Sequence, residues 1–196
     1  MTGFTAACVQ INASNDLEEN ITSLGTMIRE ACAAGADFIT TPECAAMIEV
    51  GRDNIRAKAF VEDEHPALDA FRGWAVETGT WLLAGSLSVL IEGEERLANR
   101  QYLISPTGAI AARYDKIHMF DVDLPNGNSL RESKNYRPGE EAVLTPLPWC
   151  RLGLSICYDL RFPHLYRDLA KAGADVLVIP SAFMQVTGEA HWHVLN

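Results

Sequence analysis

Residues 34–42 read AGADFITTP, and residues 172–180 read AGADVLVIP. Each stretch places a helix-stopping glycine, an aspartate, an apolar run and a proline exit in the same order. What precedes each one decides the fold. Before the first, Phe4–Ile11 is a short apolar run with strand character. Ser14-Asn15-Asp16 then offers N-caps for a helix whose apolar residues fall at Leu17, Ile21, Leu24, Ile28 and Ala31, one stripe at helical spacing. Gly35 stops that helix, and Asp37–Thr41 returns as a strand ending at Pro42-Glu43. The connection is long enough to join parallel strands. Before the second, Leu152–Ile156 reads as a strand and Pro163–Lys171 as a helix, and Asp175–Ile179 is a strand closing on Pro180. Two related halves give this pattern; so does a shared preference of helix-to-strand turns.

Between the halves, the pattern predicts an amphipathic helix over Asp53–Glu77. A meander follows: Trp81–Ile91, a GEE turn at 93–95, Leu97–Ser105, a Pro-Thr-Gly turn and Ala109–Tyr114. Residues 117–140 carry Gly, Pro, Asn and charges and read as a long functional loop. Parallel strands need helices on one face, and the apolar meander needs a second buried face. The expected fold class is therefore α/β, a layered structure with two mixed sheets face to face and helices on the outer faces. No low-complexity segment or linker interrupts residues 1–196, which read as a single domain.

Composition narrows the function. With 48% hydrophobic and 21% charged residues the chain is ordinary globular protein. A net charge of −10 argues against nucleic acid or an anionic membrane as partner, since both need a basic patch. The N-terminal MTGFTAACVQI has no basic leader region, and the longest near-apolar window, Trp81–Ile91, is too short to span a bilayer. Five cysteines, with no CxxC pair, suit free thiols in a reducing compartment, so a cytoplasmic location is expected.

Reactive groups in α/β units gather at the carboxyl ends of parallel strands. Glu43 follows one strand, Cys157 ends another in GLSICYDLRFPH at 153–164, and Lys116 follows a meander strand in RYDKIH. A free thiol is only about 3% thiolate at pH 7, so a carboxylate base supplying the ionisation contributes roughly 2 kcal/mol. A lysine ammonium facing a developing oxyanion contributes on the order of an oxyanion-hole donor, ~2.7–4 kcal/mol, and near the thiol it would favour the thiolate. The trio suits acyl transfer at a carbonyl or nitrile carbon without a metal or cofactor.

Four stretches in order carry a family resemblance: PECAAM at 42–47, RYDKIHMFDVDLP at 113–125, RESKNYRPG at 131–139 and GLSICYDLRFPHLYR at 153–167. They resemble the nitrilase superfamily of carbon–nitrogen hydrolases, and with SAFMQVTGEAHWHVL at 181–195 the chain is similar to its Nit-type amidase branch. The resemblance implies a four-layer αββα sandwich and a catalytic triad of Glu43, Lys116 and Cys157. It matches Glu132 to a second glutamate that helps position substrate and the lysine. It also implies hydrolysis of a small, carboxylate-bearing amide through a thioester, most similar to the deaminated-glutathione amidase type and next to the ω-amidases. Homodimers or larger assemblies in the full-length form, and a C-terminal portion beyond Asn196, are implied as well. The alternatives are a nitrilase or N-carbamoyl amidohydrolase, a papain-like hydrolase using His118 or His164, and a pseudoenzyme serving as an interaction module.

The expected substrate-binding residues are Tyr158, Arg161, Ser181 and Phe183. The backbone N–H of Tyr158 is a candidate oxyanion donor, and Asp159 shares its turn. Arg161 can grip a substrate carboxylate or serve a structural ion pair. Cys8, Cys32, Cys44 and Cys150 read as packing residues, with Cys44 near the pocket. His191 and His193 point to different sides of a helix and have no evident third partner, so no metal site is expected.

Overall fold

The computed structural model describes residues 3–124, 127 and 129–196. Pro125, the last letter of the 113–125 stretch, lies outside the described residues, as do Asn126 and Asn128 of the 117–140 segment and the first two N-terminal residues. In chain order the elements are β1 Ala6–Cys8, α1 Leu17–Ala33, β2 Phe38–Thr40, α2 Arg52–Ala57, β3 Phe60–Val61, α3 Pro66–Thr78, β4 Trp81–Leu90, β5 Ala98–Ile104 and β6 Ile110–Asp115. The hairpin β7 Asp121–Asp123 and β8 Ser129–Arg131 follows, then β9 Leu144–Pro146, β10 Arg151–Leu154, α4 Pro163–Lys171, β11 Val176–Val178 and α5 Gln185–Leu195.

The main sheet runs β1-β2-β4-β5-β6, with β3 also beside β4; the smaller sheet runs β11-β10-β9. Both are mixed, because β1, β2 and β4 pair parallel while β5 and β6 continue antiparallel, and β10 pairs parallel with β11 and antiparallel with β9. Alternation along each strand divides the core into two layers. Ile39, Leu82 and Ile104 pack with Leu24, Ile28, Phe71 and Trp74 of α1 and α3. Their neighbours Phe38, Leu83 and Leu103 face the other way, against Leu152, Leu154 and Ile156 of the smaller sheet. Helix α4 buries Leu165 and Leu169, and Leu169 lies over Gly153 of β10 on the outer face. The four layers are therefore helix, sheet, sheet and helix. Among the described residues no helix is long and apolar enough to cross a membrane.

The two AGAD closings are built alike. Gly35 and Gly173 take φ +88° and +95°, where a side chain is strained. The Asp37 carboxylate accepts the Thr5 N–H at 2.7 Å, and that of Asp175 accepts the Arg151 N–H at 2.8 Å. Each aspartate thus ties the start of its returning strand to the start of the parallel partner.

The single helix expected over 53–77 is instead broken into α2, the short strand β3, a 3-10 turn at Glu62–Glu64 and α3. Pro66 is the cause. It occupies the first turn of α3, where its missing N–H costs nothing, and it holds His65 extended at φ −78°, ψ 109°.

One close approach places the loop after β2. The pairing of β4 with β5 shifts register between Ala84 and Leu87, and Gly85 there donates its N–H to Thr41 Oγ1 at 3.0 Å. Ser86 Oγ accepts the Cys44 N–H at 3.0 Å. A Cβ on Gly85 would stand 2.0 Å from the Thr41 carbonyl oxygen. Gly85→Ala should therefore lower stability by at least about 1–3 kcal/mol, read as a lower urea midpoint at unchanged slope. Gly73→Ala, in open space on α3, should raise it by up to about 1 kcal/mol. Equal midpoints for the two variants would show that the 41–44 loop does not depend on this contact.

Candidate active site

Four segments bring their side chains to one cavity of about 330 Å³. Glu43 sits in the turn after β2, Lys116 directly after β6, Glu132 in a 3-10 turn after β8, and Cys157 in a 3-10 turn after β10. Lys116 is 2% exposed, Glu43 6% and Cys157 8%. The Lys116 ammonium donates to Glu43 Oε1 at 2.8 Å and to both oxygens of Glu132, at 3.0 and 2.9 Å. The Phe120 N–H donates to Glu132 Oε2 at 2.6 Å and the Ala182 N–H to Glu43 Oε2 at 3.0 Å. Every one of these four carboxylate oxygens is therefore engaged.

Cys157 takes φ +48°, a left-handed conformation rare for a residue with a side chain. Its own N–H donates to the Pro180 carbonyl at 2.9 Å, so the proline that closes the second AGAD stretch pins the turn. A strained residue held by its surroundings is a common mark of a functional position.

The charges set one another. Burial alone would push the Glu43 carboxyl up, but the Lys116 charge and its hydrogen bonds outweigh that and hold it below the usual carboxylate range. Burial would lower Lys116, and the charges of Glu43 and Glu132 instead raise it well above an ordinary lysine. The Cys157 thiol is pushed well above its ordinary value by burial and by the Glu43 charge, against a smaller pull from Lys116. Lys116 pulls toward the thiolate as expected, but burial and the Glu43 charge outweigh it, so the balance favours the protonated thiol. The neighbouring Cys44 thiol is likewise pushed up to about 12, chiefly by burial.

Of the expected substrate-binding residues, Tyr158, Arg161 and Phe183 line the cavity. Ser181 does not; its hydroxyl turns back to donate to the Ile179 carbonyl at 2.9 Å, leaving the wall to Ala182 and Phe183. The remaining wall is largely apolar, with Met47, Ile48, Ile55, Phe120 and Leu130. Three charged side chains sit among them. Glu49 is paired with Lys58, and Arg131 is held by Asp123 and by the carbonyls of Val122 and Leu130. Arg161 forms no ion pair among the described residues; its guanidinium lies 5.9 Å from the centroid of the Tyr158 ring.

Sequence reasoning missed Asn99. Its side-chain amide donates to Glu43 Oε1 at 3.0 Å and to Glu132 Oε1 at 3.2 Å, bridging the two carboxylates. A signal was present: Asn99 and Gln101 alternate with Leu103 on the inter-sheet face of β5, and a buried polar residue on an apolar face is the informative exception. The histidines of the papain-like alternative are elsewhere. His164 is exposed at the start of α4, and the His118 ring contacts Asp159 rather than the cavity. Among the described residues no three His, Cys, Asp or Glu side chains form a metal-holding group.

Comparison with known proteins identifies the family. The carbon–nitrogen hydrolase family matches residues 5–196. Deaminated glutathione amidase of Dictyostelium discoideum is 36% identical over 195 residues, covering 95% of this chain and 66% of that protein. Human omega-amidase NIT2 is 36% identical over 200 residues, covering 100% of this chain and 70% of that protein. The crystal structure of the C. elegans NitFhit protein superposes with a TM-score of 0.88 at 33% identity, covering 98% of this chain and 47% of that one. The chain thus spans about two thirds of the length of these curated relatives. It belongs to the carbon–nitrogen hydrolase family, in the Nit-type branch of the nitrilase superfamily.

Proposed function

We propose that the chain is a cysteine-dependent amidase that converts a small, carboxylate-bearing carboxamide to the acid and ammonia. One observation carries the reading: the buried thiol of Cys157, the carboxylate of Glu43 and the ammonium of Lys116 line the same cavity, with Lys116 2.8 Å from Glu43. The names of the relatives, a deaminated glutathione amidase and an omega-amidase, support the substrate class.

In this reaction Cys157 Sγ attacks the amide carbon while Glu43 takes the thiol proton. The C=O electron pair moves onto oxygen, where the Lys116 ammonium and the backbone N–H of Tyr158 receive it, each such donor contributing ~2.7–4 kcal/mol. The tetrahedral intermediate collapses as Glu43 returns the proton to nitrogen, the C–N bond breaks and ammonia leaves. A water then attacks the thioester carbon, giving its proton to Glu43. The C–S bond breaks, the acid departs and the thiol regains its proton. Arg161, which has no carboxylate partner among the described residues, receives the substrate carboxylate.

Cys157→Ala should release no ammonia from a substrate that the unaltered chain hydrolyses; equal release by the two proteins would end the thioester mechanism. The active form of Glu43 is its charged form, and a lowered pKa keeps that form present at lower pH. The rate should therefore persist on acidification through the ordinary glutamate value of about 4.3 and fall only below it. A limb near pH 6–7 in kcat/KM would assign the base to another group. Arg161→Met removes a charged hydrogen-bond donor worth about 1.5–3 kcal/mol. It should lower kcat/KM roughly 10- to 150-fold for a carboxylate-bearing amide and far less for a neutral amide of the same length. Equal losses on both would place Arg161 outside carboxylate recognition.

A further inference from the structure

Asp159 lies two residues after Cys157, while Tyr114 and His118 lie two residues before and two after Lys116. The Asp159 carboxylate, 0% exposed, joins the two segments. Its Oδ2 accepts the Tyr114 hydroxyl at 2.6 Å and the Ile156 N–H at 2.9 Å. Its Oδ1 accepts the His118 N–H at 3.0 Å and stands 2.7 Å from His118 Nδ1. The His118 ring in turn stacks on Phe162, centroid to centroid at 3.7 Å and 8° from parallel. Phe162 ends the turn that Cys157 begins. Neither His118 nor Asp159 lines the cavity.

This arrangement answers a geometric need. Cys157 leaves β10 of the smaller sheet, and Lys116 leaves β6 of the main sheet. Most of the layer between them is apolar contact, which holds sheets together without selecting one lateral register, with Gln101 Nε2 donating to the Ser155 carbonyl across it at 3.4 Å. A carboxylate accepting donors from both sides is directional. It also fixes a turn whose first residue is in a left-handed conformation.

We propose that Asp159 and His118 are a positioning pair that sets the Cys157 thiol against the Lys116–Glu43 group across the two sheets. Its effect on turnover rests on the amidase reading; its effect on the reactivity of the thiol rests on the geometry alone. An asparagine at 159 keeps the shape but turns one acceptor into a donor facing donors. An asparagine at 118 can still offer a side-chain N–H to Asp159 near where His118 Nδ1 now stands.

The test compares Asp159→Asn, His118→Ala and His118→Asn in the full chain. Ammonia release gives kcat and KM, and peptide mass spectrometry gives the rate of iodoacetamide alkylation at Cys157. Both are referred to the folded fraction by near-UV circular dichroism. Asp159→Asn and His118→Ala should lower kcat roughly 10²-fold, the cost of a misplacement of about 1 Å, with KM changed less than about threefold. Alkylation of Cys157 should slow in both, and His118→Asn should recover most of the loss. Folded Asp159→Asn with unchanged kcat and alkylation would overturn the proposal, since a purely structural pair lowers only the melting temperature. So would a His118→Asn as slow as His118→Ala whose pH profile loses a limb, because the imidazole would then be moving a proton. Should Asp159→Asn not fold, the two His118 variants decide by the same criterion. If the unaltered chain releases no ammonia from any amide yet alkylation slows in the variants, the amidase reading fails and the positioning stands.

Discussion

The buried Lys116 ammonium, held between two carboxylates, is the interaction on which the arrangement of the site depends. Taking an ammonium and a carboxylate out of water costs several kcal/mol each, recovered only where the geometry is close and the remaining oxygens find donors. Both conditions are met: Glu43 and Glu132 contact Lys116 within 3.0 Å, and backbone N–H groups of Ala182 and Phe120 take their outer oxygens. Removing the ammonium would leave two buried carboxylates facing each other, a defect worth about 3–5 kcal/mol when one partner of a buried pair is lost. The donors come from segments far apart in the chain. The charge group therefore forms only when the main sheet, the 117–140 segment and the exit of β11 are all in place.

The sheets explain where that group can stand. Leu83, Leu103, Leu152 and Leu154 make the inter-sheet layer apolar, and Asn99, Lys116 and Asp159 interrupt it toward one end. Within such a layer the effective dielectric is low, so each hydrogen bond is stronger and each unmatched polar atom costlier. The bulge at Gly85 brings the backbone of Thr41 and Pro42 against β4, which seats Glu43. A site built this way is organised before substrate arrives.

Much of this was legible in the letters. Helix α4 spans the expected 163–171 because Pro163 starts it and its apolar residues keep helical spacing. Strands β4 to β6 follow the meander, and Glu43, Lys116 and Cys157 stand at strand exits as the pattern required. The failures have local causes. The 53–77 reading passed through Pro66, whose constraint on His65 outweighed the apolar periodicity. Asn99 was hidden because a polar residue in a strand declares its partner only when two distant carboxylates are folded against it. Ser181 was placed in the site by its motif, but a hydroxyl can satisfy itself on its own backbone, and this one does. The sign of the Lys116 effect on Cys157 was legible, but that burial and Glu43 outweigh it and favour the protonated thiol was not, because sequence shows which charges gather and not how deeply the thiol is buried.

That protonation state frames the proposed chemistry. Glu43, stabilised as an anion, is by itself a weak base for a thiol whose proton is held tightly. The two can exchange that proton only if the stabilisation of Glu43 falls as the reaction proceeds. In the proposed reaction Lys116 would supply the means, because the same ammonium that depresses Glu43 lines the cavity in which the amide oxygen would become an anion. As the ammonium turns part of its interaction to the developing oxyanion, Glu43 loses stabilisation and gains basicity at the moment the thiol must give up its proton. Glu132, with both oxygens on Lys116, keeps the ammonium anchored through that exchange. In the proposed reaction a single buried cation shared by base, anchor and oxyanion would thus link proton removal to carbon–sulfur bond formation. Substrate without a polarisable carbonyl in that place would leave Glu43 weak and the thiol protonated.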